Sequence, residues 1–236
     1  MDAIVTRGLT KRFGRRAALD DVSISIPRGA FLSIFGPNGA GKSTLLNILT
    51  TLSRPTSGSL EVLGIDALAK PESLRPLIGF ISHKPLLYGD LTAHENLEFF
   101  ASLYGVEASS ARITDLLHTV ELAHRRHDYA RTFSRGMTQR LSIARALIHD
   151  PRLIFMDEPY AGLDPHAVDI FDQIIDRVRE DRTIVMVSHD LRKGFDVCSH
   201  ALILADGREI LFGERTSFDA DEFERTYLAT VGIGVA

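Results

Sequence analysis

Gly36-Pro37-Asn38-Gly39-Ala40-Gly41-Lys42-Ser43, followed by Thr44, has the types and spacing of a loop that wraps a phosphate. Glycines let the backbone curl until several amides point at one anion. A helix expected over 43–52 would add its positive end. Lys42 supplies a point charge for β and γ phosphates, and the Ser43 hydroxyl is a ligand for Mg²⁺. A glycine-rich turn bearing an exposed lysine is the plainer alternative.

Asp157 and Glu158 directly follow an apolar run, 153–156, that reads as a strand covered on both faces. An acid there can hold Mg²⁺ through water, and a second can polarise an attacking water. The alternative is a surface turn pair. His189 follows another apolar run, 184–187. The loop, the acids and His189 thus share one address, the C-terminal ends of buried strands, where open α/β sheets bind ligands. Ser134 and Gly136 precede a helical pattern through Met137, Leu141, Ala144 and Ile148. Ser134 can cap that helix, or with the amides near Gly136 form an anion site that a second chain would present.

Several elements must position these groups. Val22, Ile24 and Ile26 alternate with serines and predict one half-buried strand, with further strands at 30–35 and 58–63. Thr92 and Glu95 form a capping box ahead of Leu97, Phe100, Ala101 and Tyr104. Ile113, Leu116, Leu117 and Val120 continue in helical period. Asp164-Pro165 caps and opens a helix with Phe171, Ile174, Ile175 and Val178 on one face. Asp206-Gly207, between 201–205 and 209–212, signals a hairpin. A short helix around Phe223 and Tyr227 precedes a frayed end. The expectation is an α/β fold in one domain over 1–236. Its core spans 1–85 and 151–215 around a mostly parallel sheet, with an N-terminal antiparallel β portion, a helical insertion over 86–150 and a tail over 216–236.

The net charge of -4 argues against a dedicated nucleic-acid binder. Cys198, the one cysteine, reads as a buried small apolar residue. No basic-then-apolar leader opens the chain, and no apolar run reaches the roughly 20 residues that span a bilayer.

These pieces, in this order, resemble the nucleotide-binding subunit of ABC transporters over essentially the whole chain. The resemblance makes 36–43 the Walker A loop of a P-loop NTPase core, 153–158 Walker B with Glu158 as catalytic glutamate, and 134–137 the signature. It makes 161–164 the D-loop with Asp164, His189 the switch histidine, and Phe13 the aromatic under adenine. It implies ATP and Mg²⁺, and a head-to-tail pair with a second ATPase subunit whose signature acts in trans. It further implies an integral membrane partner and a peripheral place on the cytoplasmic face of the membrane. His83 stands where the family carries a glutamine on Mg²⁺ and the attacking water, and Met137 where the signature carries another. A neutral imidazole still bonds water; a protonated one repels the metal. His83-Lys84-Pro85, Leu91-Thr92-Ala93, Glu95-Asn96-Leu97, 133–140 and Glu158-Pro159-Tyr160 resemble haem exporter ATPases of cytochrome c biogenesis. The alternative is a generic exporter ATPase for drugs, lipids or polysaccharides. A non-transport ABC protein and a domain that binds without hydrolysing are the remaining readings.

Overall fold

The computed structural model describes residues 1–82, 84–107, 110–180 and 182–232. In chain order the first elements are β1 (Asp2–Phe13), β2 (Arg16–Val22), β3 (Ser25–Pro27), β4 (Phe31–Phe35) and α1 (Lys42–Leu49). Then come β5 (Ser57–Val62), β6 (Ile65–Asp66), α2 (Pro71–Leu74), β7 (Ile78–Ile81), α3 (Ala93–Leu103), α4 (Ser110–Thr119) and α5 (Arg135–Leu147). The chain ends with β8 (Leu153–Asp157), α6 (Pro165–Val178), β9 (Thr183–Val187), α7 (Leu191–Val197), β10 (His200–Ala205), β11 (Arg208–Glu214) and α8 (Ala220–Thr230).

Two compact units divide these elements. The first comprises Met1–Arg75, Phe155–Glu158 and the chain from Thr183 on. It holds an antiparallel sheet, β2-β1-β5-β6 with β3 also on β1, and a second sheet ordered β11-β10-β4-β9-β8. In that second sheet β10, β4 and β9 run parallel, and β11 closes the edge antiparallel. β4 and β9 are buried at every residue, as strands covered on both faces must be. The one polar side chain of β4, Ser33, spends its hydroxyl on the carbonyl of Gly194 at 2.8 Å.

The strand expected through Val22, Ile24 and Ile26 is broken into β2 and β3, although all three side chains are buried. The cause is Thr6. Its buried hydroxyl donates to the Val22 carbonyl at 3.1 Å and accepts the Ile24 amide at 2.9 Å, replacing ladder bonds at the break. β1 itself was not anticipated. Four register shifts interrupt its pairings, so its buried positions do not alternate with period 2.

The second unit comprises Pro76–Ile154 and Pro159–Arg182. It holds α3, α4 and α5, and also β7 and α6. The Thr92–Glu95 capping box is fully formed, with bonds of 3.1 and 2.7 Å. Arg145, buried on α5, donates to the Phe80 carbonyl of β7 at 2.5 Å. Arg182, beyond α6, holds the Pro151 carbonyl at 3.1 Å and the Asp150 carboxylate at 2.6 Å. The end of the chain is anchored through α8: Phe223 is buried, stacks on Phe195 at 4.4 Å and meets Phe35 edge-on at 5.5 Å. The frayed end expected beyond α8 concerns residues 233–236, which lie outside the described residues.

Candidate active site

A cleft of about 380 Å³ in the first unit is lined by Phe13, Arg16, Ala18, the loop from Asn38 through Thr44, Glu158 and His189. The loop leaves β4 and enters α1. Gly41 makes that entry possible, since it sits at φ 105, a left-handed conformation that a side chain would strain. No side chain caps α1. Side chains of Thr92, Ser134, Asp164, Asp190 and Asp219 cap α3, α5, α6, α7 and α8. The first amides of α1 are therefore left for another acceptor at the positive end of the helix, which suits an anion.

Lys42 is buried inside this loop and donates to the carbonyls of Gly36 at 2.7 Å and Pro37 at 2.9 Å. Burial pulls its pKa down, and the nearby charges of Glu158 and Asp157 pull it back up. The ammonium is thus held close to two acids in a place short of water. Ser43 Oγ lies 3.5 Å from Asp157 Oδ1, so two hard oxygens face one another beside the loop. That donor set fits Mg²⁺, which takes one or two protein oxygens and completes its shell with phosphate and water. Among the described residues no cluster of three or more His, Cys, Asp or Glu forms a dedicated metal cage.

Glu158, at the end of β8, adopts φ 53, an uncommon left-handed conformation for a side-chain-bearing residue. Its amide donates to the Val187 carbonyl at 3.1 Å, and this tie to β9 holds the strained turn. The turn brings Glu158 Oε1 to 2.6 Å from His189 Nε2. His189 is itself fixed between buried Ser188, whose hydroxyl donates to the Asp190 carbonyl at 2.9 Å, and the Asp190 cap of α7. Phe13 stands 59% exposed at the mouth of the cleft, with Lys11 Nζ 5.1 Å from its ring centre.

Ser134, Gly136 and Asp164 lie in the second unit, where they gather in one place. Ser134 Oγ accepts the Met137 amide at 3.2 Å, and Asp164 Oδ1 accepts the Ala167 amide at 2.9 Å. Gly136 lies against Ala167, and the Arg135 guanidinium against Gly162. Gln139 is occupied with the Pro159 carbonyl at 3.2 Å. His83 lies outside the described residues. Sequence reasoning missed Arg16 and Ala18, which line the cleft because β2 pairs with β1, and missed Gly207, which bonds the loop from the β10–β11 turn. Arg16 and Ala18 belong to no motif, and the Asp206-Gly207 hairpin signal does not say what its turn touches.

A phosphate loop after β4 of a parallel sheet, with paired acids at the end of β8 two strands away, defines a P-loop nucleotide-binding protein. The family model for ABC transporters matches residues 19–161. The chain is 33% identical to the daunorubicin resistance ATP-binding protein DrrA3 of Streptomyces coeruleorubidus, over 93% of this chain and 70% of that one. It is 36% identical to the ABC transporter ATP-binding protein NatA of Bacillus subtilis, over 87% and 85%. A fluoroquinolones export ATP-binding protein of Mycobacterium tuberculosis is 37% identical, over 91% and 72%. Among solved structures, an ATP-binding subunit of an ABC transporter superposes with a TM-score of 0.83 at 28% identity, covering 97% of this chain and 99% of that one. A dimeric, post-hydrolysis ATP-binding cassette bound to ADP and Pi gives 0.81 at 29%, covering 91% and 100%. The chain belongs to the ABC transporter family, as its ATP-binding and ATP-hydrolysing domain.

Proposed function

We propose that this chain binds Mg-ATP in the first unit's cleft and couples its hydrolysis to export through a separate membrane subunit. The observation that carries the reading is the meeting of the uncapped start of α1, buried Lys42, the Ser43–Asp157 oxygens and the Glu158–His189 pair around one cleft. Phe13 stacks beneath the base. The amides of 38–44 and Lys42 hold the phosphates, and Ser43 and Asp157 hold Mg²⁺. When bound, that ion would neutralise charge on the phosphate tail. Glu158 accepts a proton from the attacking water. His189 fixes the Glu158 carboxylate and lies beside the departing phosphate.

Ser134, Gly136 and Asp164 serve the nucleotide of a second copy in a head-to-tail pair. The gathering of these residues around the starts of α5 and α6 supports that reading, as does the dimeric cassette among the similar structures. The similar transporter ATP-binding proteins support a separate membrane partner. No helix among the described residues is long and apolar enough to cross a bilayer. The place of action is then the cytoplasmic face of the membrane.

For cargo, the similar proteins named for daunorubicin resistance and fluoroquinolones export favour a drug or antibiotic exporter over haem export for cytochrome c biogenesis. Calorimetry with Mg-ATP on the purified chain tests the core of this reading, and absence of binding would overturn it. Ser134→Arg should leave nucleotide binding by the monomer intact and abolish ATP-dependent pairing. Co-purification from membranes separates the cargo readings: an export permease supports the first, a haem-handling protein the second.

A further inference from the structure

Besides Lys42, the cleft is lined by a second cation, Arg16. Arg16 opens β2 directly opposite Phe13, its partner in the β1–β2 register. Cross-strand partners project from the same face, so ring and guanidinium form one wall of the cleft together. An Arg16 Nη atom lies 3.3 Å from where a side chain on Gly39 would begin, which places the head group against the middle of the loop. Two nearby arginines are engaged elsewhere: Arg12 faces Asp20 at 3.8 Å, and Arg208 donates to Asp20 at 2.6 and 3.0 Å. Among the described residues no carboxylate or carbonyl engages the Arg16 head group, and the side chain is exposed. Lys42 differs, because its ammonium is already tied to loop carbonyls.

We infer that Arg16 is a second cationic contact to the phosphate tail, reaching it from the Phe13 side of the loop. It distinguishes nucleoside polyphosphates from nucleosides. The inference rests on the nucleotide reading above. A guanidinium presents planar paired donors to phosphate oxygens. An ammonium on a flexible stem would supply charge without the paired geometry.

The test compares wild type, Arg16→Ala and Arg16→Lys in the full chain. Calorimetry measures Mg-ATP and Mg-ADP, and ligand-observed NMR measures adenosine. Arg16→Ala should weaken ATP and ADP about tenfold, as loss of a charge-assisted phosphate contact does, with adenosine changed less than about twofold. Arg16→Lys should regain part of the loss. The melting temperature should not move, because the side chain supports nothing else. ATP affinity equal to wild type in Arg16→Ala would overturn the inference. So would an equal loss for adenosine, which would make Arg16 a base or ribose contact. If wild type binds no Mg-ATP, the nucleotide reading itself fails and this inference fails with it.

Discussion

The amide of Gly207 donates to the carbonyl of Ala40 at 3.0 Å, so the tip of the β10–β11 hairpin grips the phosphate-binding loop. The Gly207 carbonyl accepts the Asp20 amide at 2.8 Å, and Asp20 receives the Arg208 guanidinium. Asp206 and Gly207 both have positive φ, 49 and 78, as a tight two-residue hairpin turn requires. The loop's shape is therefore set partly by a hairpin remote in sequence.

Gly207→Ala should loosen this grip. The new methyl would meet the Ala18 carbonyl at 2.9 Å, on a backbone that already disfavours a side chain. We expect a loss of about 1–3 kcal/mol, seen as a melting temperature lower by several degrees, together with weaker Mg-ATP affinity. A variant that melts and binds like wild type would show that the turn does not shape the loop.

Glu158→Gln keeps the shape of the side chain and removes its basicity. Turnover of ATP should fall by about 10²- to 10⁴-fold, the usual contribution of a general base. Mg-ATP affinity should stay within about twofold, and ATP-dependent dimer should accumulate. Steady-state ATPase assays paired with light scattering check both. Unchanged turnover would remove Glu158 from the role of base.

Acid should weaken the start of α3 through Glu95. Bonds from the Thr92 amide and side chain hold the Glu95 carboxyl below its ordinary value of 4.5. A carboxylate depressed in the fold contributes stability above its unfolded pKa and loses it as pH falls through the folded one. The stability gap between wild type and Glu95→Gln should thus be full at pH 7 and shrink below pH 4.5. Denaturant melts across that range measure it, and a gap constant down to pH 3 would refute the linkage.

Cys198 should be inert in the folded protein. Burial pushes its thiol up to about 11, and Sγ donates to the Phe195 carbonyl at 3.4 Å. A thiol-reactive dye at pH 8 should therefore label native protein far more slowly than protein in denaturant. Equal rates would mean that the α7–β10 junction opens readily.

Local chemistry made much of the molecule readable in advance. The phosphate loop, the Thr92–Glu95 box and the Asp164 cap each depend on side chains acting on backbone a few residues away, and the Asp206-Gly207 turn on two adjacent residues with positive φ. The apolar runs of β4, β8 and β9 declared a sheet covered on both faces, and their ends gave the loop, the acids and His189 a common edge.

What only the tertiary structure decided is where strands break and which remote groups meet. Thr6 splits the run through Val22 and Ile26, register shifts disguise β1, and β2 carries Arg16 into the cleft. Gly207 reaches Ala40, and Glu158 reaches His189, through pairings between segments far apart in the chain. Helix caps and tight turns obey interactions within one turn of backbone, so residue order alone encodes them. Strand register, buried hydroxyl bonds and cleft walls form only after distant segments have paired, and no short stretch of sequence contains both partners.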